Sequence, residues 1–252
     1  DVFASNVVDR WQCFYASELF ERPRATDKTA SLCAHLVAEN LRRLIEAGHD
    51  PLRVMLDRAH AHGMRFVASF RMNDMHSLAP DSPIYGAFRR EHPDWRLRYA
   101  DGAFSPGLDF EHPEVPARTL AIAREIVERY NIDGLEFDFM RHPWFFQPGR
   151  EEAGRSVLTS LVEETRELLD ASSSGDRLWL GVRMPPTIDQ CHACGLDINA
   201  WVQSGLVDYV CPSDYFFTDF KLGVAGFREL IGARNIGLFP TLHPYSAGES
   251  SE

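Results

Sequence analysis

The chain has 252 residues, 44% hydrophobic and 25% charged, with a net charge of −11. That length supplies one large single-core domain, and that composition excludes a disordered segment. The acidic balance excludes nucleic acid or an anionic membrane as the main partner, since both need a basic face; no apolar run approaches the ~20 residues of a membrane span.

Six short apolar or β-branched runs read as buried parallel strands, near-continuous instead of alternating. The first, residues 1–5 (DVFAS), precedes an amphipathic stretch at 34–62, interrupted at 48–51, where Pro51 can start a fresh helix. The second strand, 65–70 (RFVASF), follows the turn His62-Gly63-Met64 and leads into a long loop, 71–112. A helix at 113–130 comes next, with Leu120, Ile122, Ile126 and Val127 as its buried stripe. After the short turn Asn131-Ile132-Asp133 the third strand occupies 134–139 (GLEFDF). The loop 141–152 and a helix at 155–169 lead to the fourth strand, 178–183 (LWLGVR). The loop 184–196, a helix at 198–204, a strand at 207–212 (VDYVCP), a helix at 226–231 and a strand at 235–240 (NIGLFP) complete the series.

Turns into strands are short and segments out of strands are long. That asymmetry suits a (β/α)8 TIM barrel, whose βα loops build the active site. A doubly wound sheet would more often carry a Gly-rich phosphate turn after its first strand, and none is present. Six strands are two short of eight. The expectation is therefore an incomplete α/β barrel, one domain over 1–252, with the first and last barrel strands outside it.

Cys13, Cys33, Cys191, Cys194 and Cys211 are odd in number and irregular in spacing, unlike a disulfide framework. The run Cys191-His192-Ala193-Cys194 lacks the second ligand pair a structural zinc site needs and reads as a loop. Neither a cofactor nor a metal is expected. Of the 26 basic residues only Lys28 and Lys221 are lysine, so a single Arg is a weak sign of function.

Chemistry concentrates in Asp133-Gly134-Leu135-Glu136-Phe137-Asp138-Phe139-Met140. Side chains alternate along a strand, so Glu136, Asp138 and Met140 share one face and Leu135, Phe137 and Phe139 the other. Two carboxylates inside a barrel cost several kcal/mol unless paired or used; the bland reading pairs Glu136 with an Arg such as Arg183 on the next strand, while Arg141 or Arg183 beside Asp138 would keep that carboxyl ionised.

This segment resembles the fourth-strand motif of several glycoside hydrolase barrels. It is similar to the Asp-Gly-x-Asp-x-Asp-x-Glu pattern of family 18 chitinases, with Glu136 and Asp138 at two of the acidic positions. The general-acid Glu of that pattern falls at Met140, so a substrate-assisted mechanism is not implied. It also resembles the Asp-Gly-x-Arg-x-Asp strand of the α-amylase family, whose nucleophile aligns with Asp138 and whose Arg position is Glu136. The wider order resembles the bacterial glycosyl-hydrolase-like family 10 barrels. The matching pieces are His92-Pro93-Asp94-Trp95, Leu108-Asp109-Phe110-Glu111-His112-Pro113-Glu114-Val115, and Tyr130 through Asp138. The resemblance implies a sugar-active enzyme with a carbohydrate substrate, acting outside the cytoplasm in the extracellular or periplasmic space.

Glycoside hydrolysis needs two carboxyl groups. On this reading Asp138 is the nucleophile or base and Asp214, after the VDYVCP strand, its partner; Glu136 and Asp74 stand in reserve. The same mouth collects Arg71, Asn73, Asp74, His76, Arg141, His142, Trp144, Arg183, Tyr215 and His243 as substrate-binding candidates, with Trp95, Phe145, Phe146, Phe216 and Phe217 as further aromatic surface. Two alternatives stand beside it: a non-catalytic carbohydrate-binding barrel, suggested by Met140, and a metal-dependent hydrolase using Asp74, His76, Asp138 and His243.

Overall fold

The computed structural model describes residues 1–9, 11–24, 32–76, 82, 84–173, 175–214 and 222–241. Its strands, in chain order, are β1 (Val2–Asp9), β2 (Gln12–Cys13), β3 (Arg65–Arg71), β4 (Arg96–Arg98), β5 (Phe104–Leu108), β6 (Gly134–Asp138), β7 (Trp179–Met184), β8 (Tyr209–Pro212) and β9 (Gly237–Leu238). The helices are α1 (Leu32–Glu46), α2 (Pro51–Ala61), α3 (Ala87–Glu91), α4 (Glu114–Arg129), α5 (Glu151–Ser172), α6 (Ile188–Ala193), α7 (Ile198–Gln203) and α8 (Val224–Ile231). The main sheet has the order β2-β1-β3-β6-β7-β8-β9. Every pair in it is parallel except the short return of β2 along β1. Six parallel strands follow one another in chain order with helices between them, so the sheet is a curled, incomplete (β/α)8 barrel. No helix among the described residues is long and apolar enough to cross a membrane.

All six predicted strands are present. The break at 48–51 is real: Asp50 caps α2 by accepting the Leu52 N–H at 3.1 Å, and Pro51 occupies its first turn. The outer face of the sheet packs Leu135, Phe137 and Phe139 into the main core with the helices. The buried stripe of α4 differs from the predicted one. Ile122 and Ile126 are buried, but Leu120 and Val127 are only partly so, while Val115, Thr119, Ala123 and Glu125 turn inward. Glu125 can do so because Tyr15, Ser17 and Arg129 side chains and the Glu18 N–H all donate to it within 2.9 Å. Burial alone would raise its carboxyl, but those bonds outweigh it and hold the group below the usual range.

Two predicted loops contain structure. The segment after β3 folds into α3, a 3-10 turn (Pro93–Trp95) and the β4–β5 hairpin, whose strands of three and five residues are too short for a periodic signal. The Cys191–Cys194 run is no loop: α6 spans its first three residues, and Cys194 closes the helix with its N–H on the Cys191 carbonyl.

Candidate active site

Register sorts the inner face of the sheet into rungs, because parallel partners project to the same side. The middle rung is Ser69, Glu136, Gly181 and Tyr209; above it, toward the carboxyl ends, lie Arg71, Asp138, Arg183 and Cys211. Glu136 accepts hydrogen bonds from Ser69 Oγ at 2.8 Å and Tyr209 Oη at 3.0 Å. The bland pairing of Glu136 with Arg183 is therefore corrected, since Arg183 sits one rung higher and binds Asp138. Burial raises the Glu136 carboxyl, the nearby charge of Asp138 adds to that, and the hydroxyls only partly offset it. Tyr209 reaches Glu136 by crossing Gly181, where a Cβ would lie 1.9 Å from the ring.

Asp138 ends the central strand and is only 8% exposed. Arg183 Nη1 donates to both of its oxygens at 2.9 Å, and the N–H groups of Met140 and Arg141 donate to Oδ1 at 3.0 and 3.2 Å. Each of these contacts comes from a donor, which fits a carboxylate acting purely as acceptor. Arg183 Nη2 continues to Ser213 Oγ at 2.9 Å, tying β6 to the end of β8. Asp214 is the next residue and is half-buried. Two strand spacings separate β6 from β8, about 9–10 Å of backbone.

A second cluster adjoins this rung. Arg71 Nη1 bridges Asp9 at 3.1 Å and Asp74 at 3.4 Å. Asp74, fully buried, accepts from His76 Nδ1 at 2.5 Å, and Arg141 Nη2 lies 2.8 Å from His76 Nε2. The Met75 N–H donates to His142 Nδ1 at 3.0 Å, which puts the proton of the neutral ring on Nε2. Donor atoms of Asp74, His76 and His142 lie within 4.8 Å of one another, spacing a metal ion could use. His142 completes that trio where the sequence suggested Asp138 and His243. Asp74 is bonded to His76, the His142 Nδ1 is taken by the Met75 N–H, and two guanidiniums within reach of Asp74 would repel a divalent cation.

Burial, then the charges of His76, Arg141 and Arg71, push His142 down to about 4 against the pull of Asp74. An unfolded His titrates near ~6.5. A depressed folded value means the stability it contributes is complete above ~6.5 and lost as pH falls toward 4. The total is about 3 kcal/mol for this mostly buried ring. Denaturant unfolding between pH 7.5 and 4.5 is expected to show this slope in the wild type. His142→Asn, which keeps an acceptor for the Met75 N–H, is expected to flatten it; equal slopes would refute the assignment.

The remaining candidates scatter. Asn73 is buried and spends its amide on backbone: Nδ2 donates to the Leu108 carbonyl at 2.9 Å and the Trp144 carbonyl at 2.6 Å, and Oδ1 accepts the Leu108 N–H at 3.0 Å. Phe145 and Phe146 are buried in the core, whereas Trp144 stands out from the rim. Trp95 stacks between His92 and His112, with ring centroids 3.6 and 5.3 Å away. Tyr215, Phe216, Phe217 and His243 lie outside the described residues. The sequence reading overlooked Asp9, Ser69, Tyr209, Gly181 and Ser213. Alternation in RFVASF and VDYVCP, extended one strand outward, would have placed Ser69 and Tyr209 on the Glu136 face.

Parallel strands curled in chain order, with ionisable side chains gathered at their carboxyl ends, define an incomplete (β/α)8 barrel whose polar site lies at the carboxyl-end face. The chain belongs to the glycosyl hydrolase-like 10 family, whose model matches residues 34–181. It is 24% identical over 221 residues to the glycosyl hydrolase YngK of Bacillus subtilis, covering 70% of this chain and 41% of YngK. It is 26% identical over 219 residues to the glycosyl hydrolase DigH of Escherichia coli, covering 67% of this chain and 47% of DigH. The chain thus spans less than half the length of either relative. Among solved structures it is similar to alpha-L-fucosidase isoenzyme 2 from Paenibacillus thiaminolyticus, with a TM-score of 0.50 and 13% identity over 82% of this chain and 30% of that one. That likeness concerns the fold.

Proposed function

We propose that this chain carries the catalytic face of a glycoside hydrolase that cleaves a glycosidic bond in an oligo- or polysaccharide. The observation that carries the reading is Asp138, an acceptor-only carboxylate at the carboxyl end of the central strand, aimed by Arg183 and two backbone N–H groups. In this role it attacks the anomeric carbon or activates a water molecule, while Asp214 protonates the departing oxygen. Glu136, one rung below, has its carboxyl pushed up by burial and with Ser69 and Tyr209 makes the polar floor.

The test is turnover of a polysaccharide panel by the full-length protein, with Asp138→Asn and Asp214→Asn beside it. Each variant is expected to lose on the order of 10²-fold or more in kcat. Undiminished turnover in Asp138→Asn would overturn the assignment. One observation favours a second reading, a barrel that binds carbohydrate without cleaving it. Met140 occupies the position where family 18 enzymes hold their acid, and its N–H is committed to Asp138. That reading predicts saturable saccharide binding and no turnover in the wild type.

A further inference from the structure

We propose that a groove on the rim of the barrel is a distal saccharide subsite, gripping a sugar ring away from the bond that is cut; this rests on the glycosidase reading above. The groove, about 550 Å³, lies between the β4–β5 hairpin, residues 143–148, the start of α5 and the end of α6. Each of these follows a barrel strand (β3, β6 or β7), so the groove belongs to the carboxyl-end face that also carries Asp138.

Its walls offer two large exposed aromatic rings. Trp144 is 54% and Tyr99 41% exposed, and the rings stand at 85° with centroids 6.2 Å apart. Pro143 and Pro148 extend the apolar surface, and Arg98 and Glu151 line the same groove. Flat apolar faces flanked by a guanidinium and a carboxylate match a pyranose, whose C–H faces pack on aromatic planes and whose hydroxyls take charged hydrogen-bond partners. The Arg98 guanidinium is held in place there, stacked on Phe104 at 4.0 Å and donating to the Gly102 carbonyl at 3.2 Å.

The groove is also held open in advance. Asn73 binds Leu108, at the end of the hairpin, and Trp144, on the opposite wall, through one buried amide. Gln147 repeats the device, accepting the Arg98 N–H at 3.1 Å and donating to the Arg96 carbonyl at 3.3 Å. Walls locked to each other lose little freedom when a ligand enters.

The experiment titrates cellohexaose, maltohexaose and chitohexaose into the full-length protein, followed by calorimetry and tryptophan fluorescence. At least one hexaose is expected to bind saturably. Trp144→Ala and Tyr99→Ala should each weaken it by about tenfold, and Trp144→Phe should keep most of the affinity. Binding by none of the three, or equal affinity in Trp144→Ala, overturns the subsite. So does saturable binding of an anilinonaphthalene sulfonate dye that no hexaose displaces, which would mark an apolar ligand. Turnover lost in Asp138→Asn with binding intact in Trp144→Ala sinks the subsite alone. Full turnover in Asp138→Asn with weakened binding in Trp144→Ala sinks the catalytic assignment alone.

Discussion

Arg183→Met is expected to destabilise the fold by about 3–5 kcal/mol, because it strands the Asp138 carboxylate without its cation in a site nearly closed to water. The Arg183 and Asp138 side chains are only 17% and 10% exposed, so solvent gives the orphaned charge little relief. Met fills much of the aliphatic volume, which separates loss of charge from loss of packing. Chemical denaturation of the two single variants and of Asp138→Asn/Arg183→Met closes a cycle. The double variant should recover much of the loss, since neither partner is then charged. A deficit below about 1 kcal/mol in Arg183→Met would show a pair no stronger than a surface ion pair. The change also frees Ser213 Oγ, beside Asp214, from its guanidinium donor, leaving that end of β8 on its backbone bonds.

Gly181→Ala is the second large effect, expected at about 2–6 kcal/mol. Its Cβ would fall 1.9 Å from the Tyr209 ring, far inside contact distance. The ring must swing away, which adds overpacking of about 1–3 kcal/mol. It also takes the phenol from Glu136, and losing a bond to a buried acid costs about 1–3 kcal/mol more. Tyr209→Leu in the Gly181→Ala background should relieve the clash, leaving mainly the lost hydrogen bond. If Gly181→Ala melts within a degree of the wild type, the ring does not cross that glycine.

The barrel was legible because its strands are short apolar runs separated by periodic helices, and neither signal needs knowledge of long-range contacts. Alternation alone put Glu136 and Asp138 on one face. It left Arg183 open to either Glu136 or Asp138, because register between strands is set by how each βα crossover packs. Asp74, His76 and His142 were expected at one mouth, but not within ligand distance of one another, because His142 arrives from a different loop. Glu125 escaped notice because a carboxylate on a helix reads as solvated unless its donors, here more than 100 positions away for Tyr15, are known to close over it. The hairpin at 96–108 was hidden by its size, and the end of α6 by a cysteine pair that drew attention to ligands instead of helix length.

The amide of Asn73 touches three backbone groups in two separate segments, two as donor and one as acceptor. Asp would turn oxygen toward two carbonyl oxygens, and Leu would orphan all three groups. Substitution there therefore breaks the link between the two segments although the side chain need never meet a substrate. Surface residues of the hairpin it anchors, Tyr99 and Arg98 among them, remain open to change. A single immobile peg of this kind lets selection retune what the rim holds without rebuilding the scaffold beneath it.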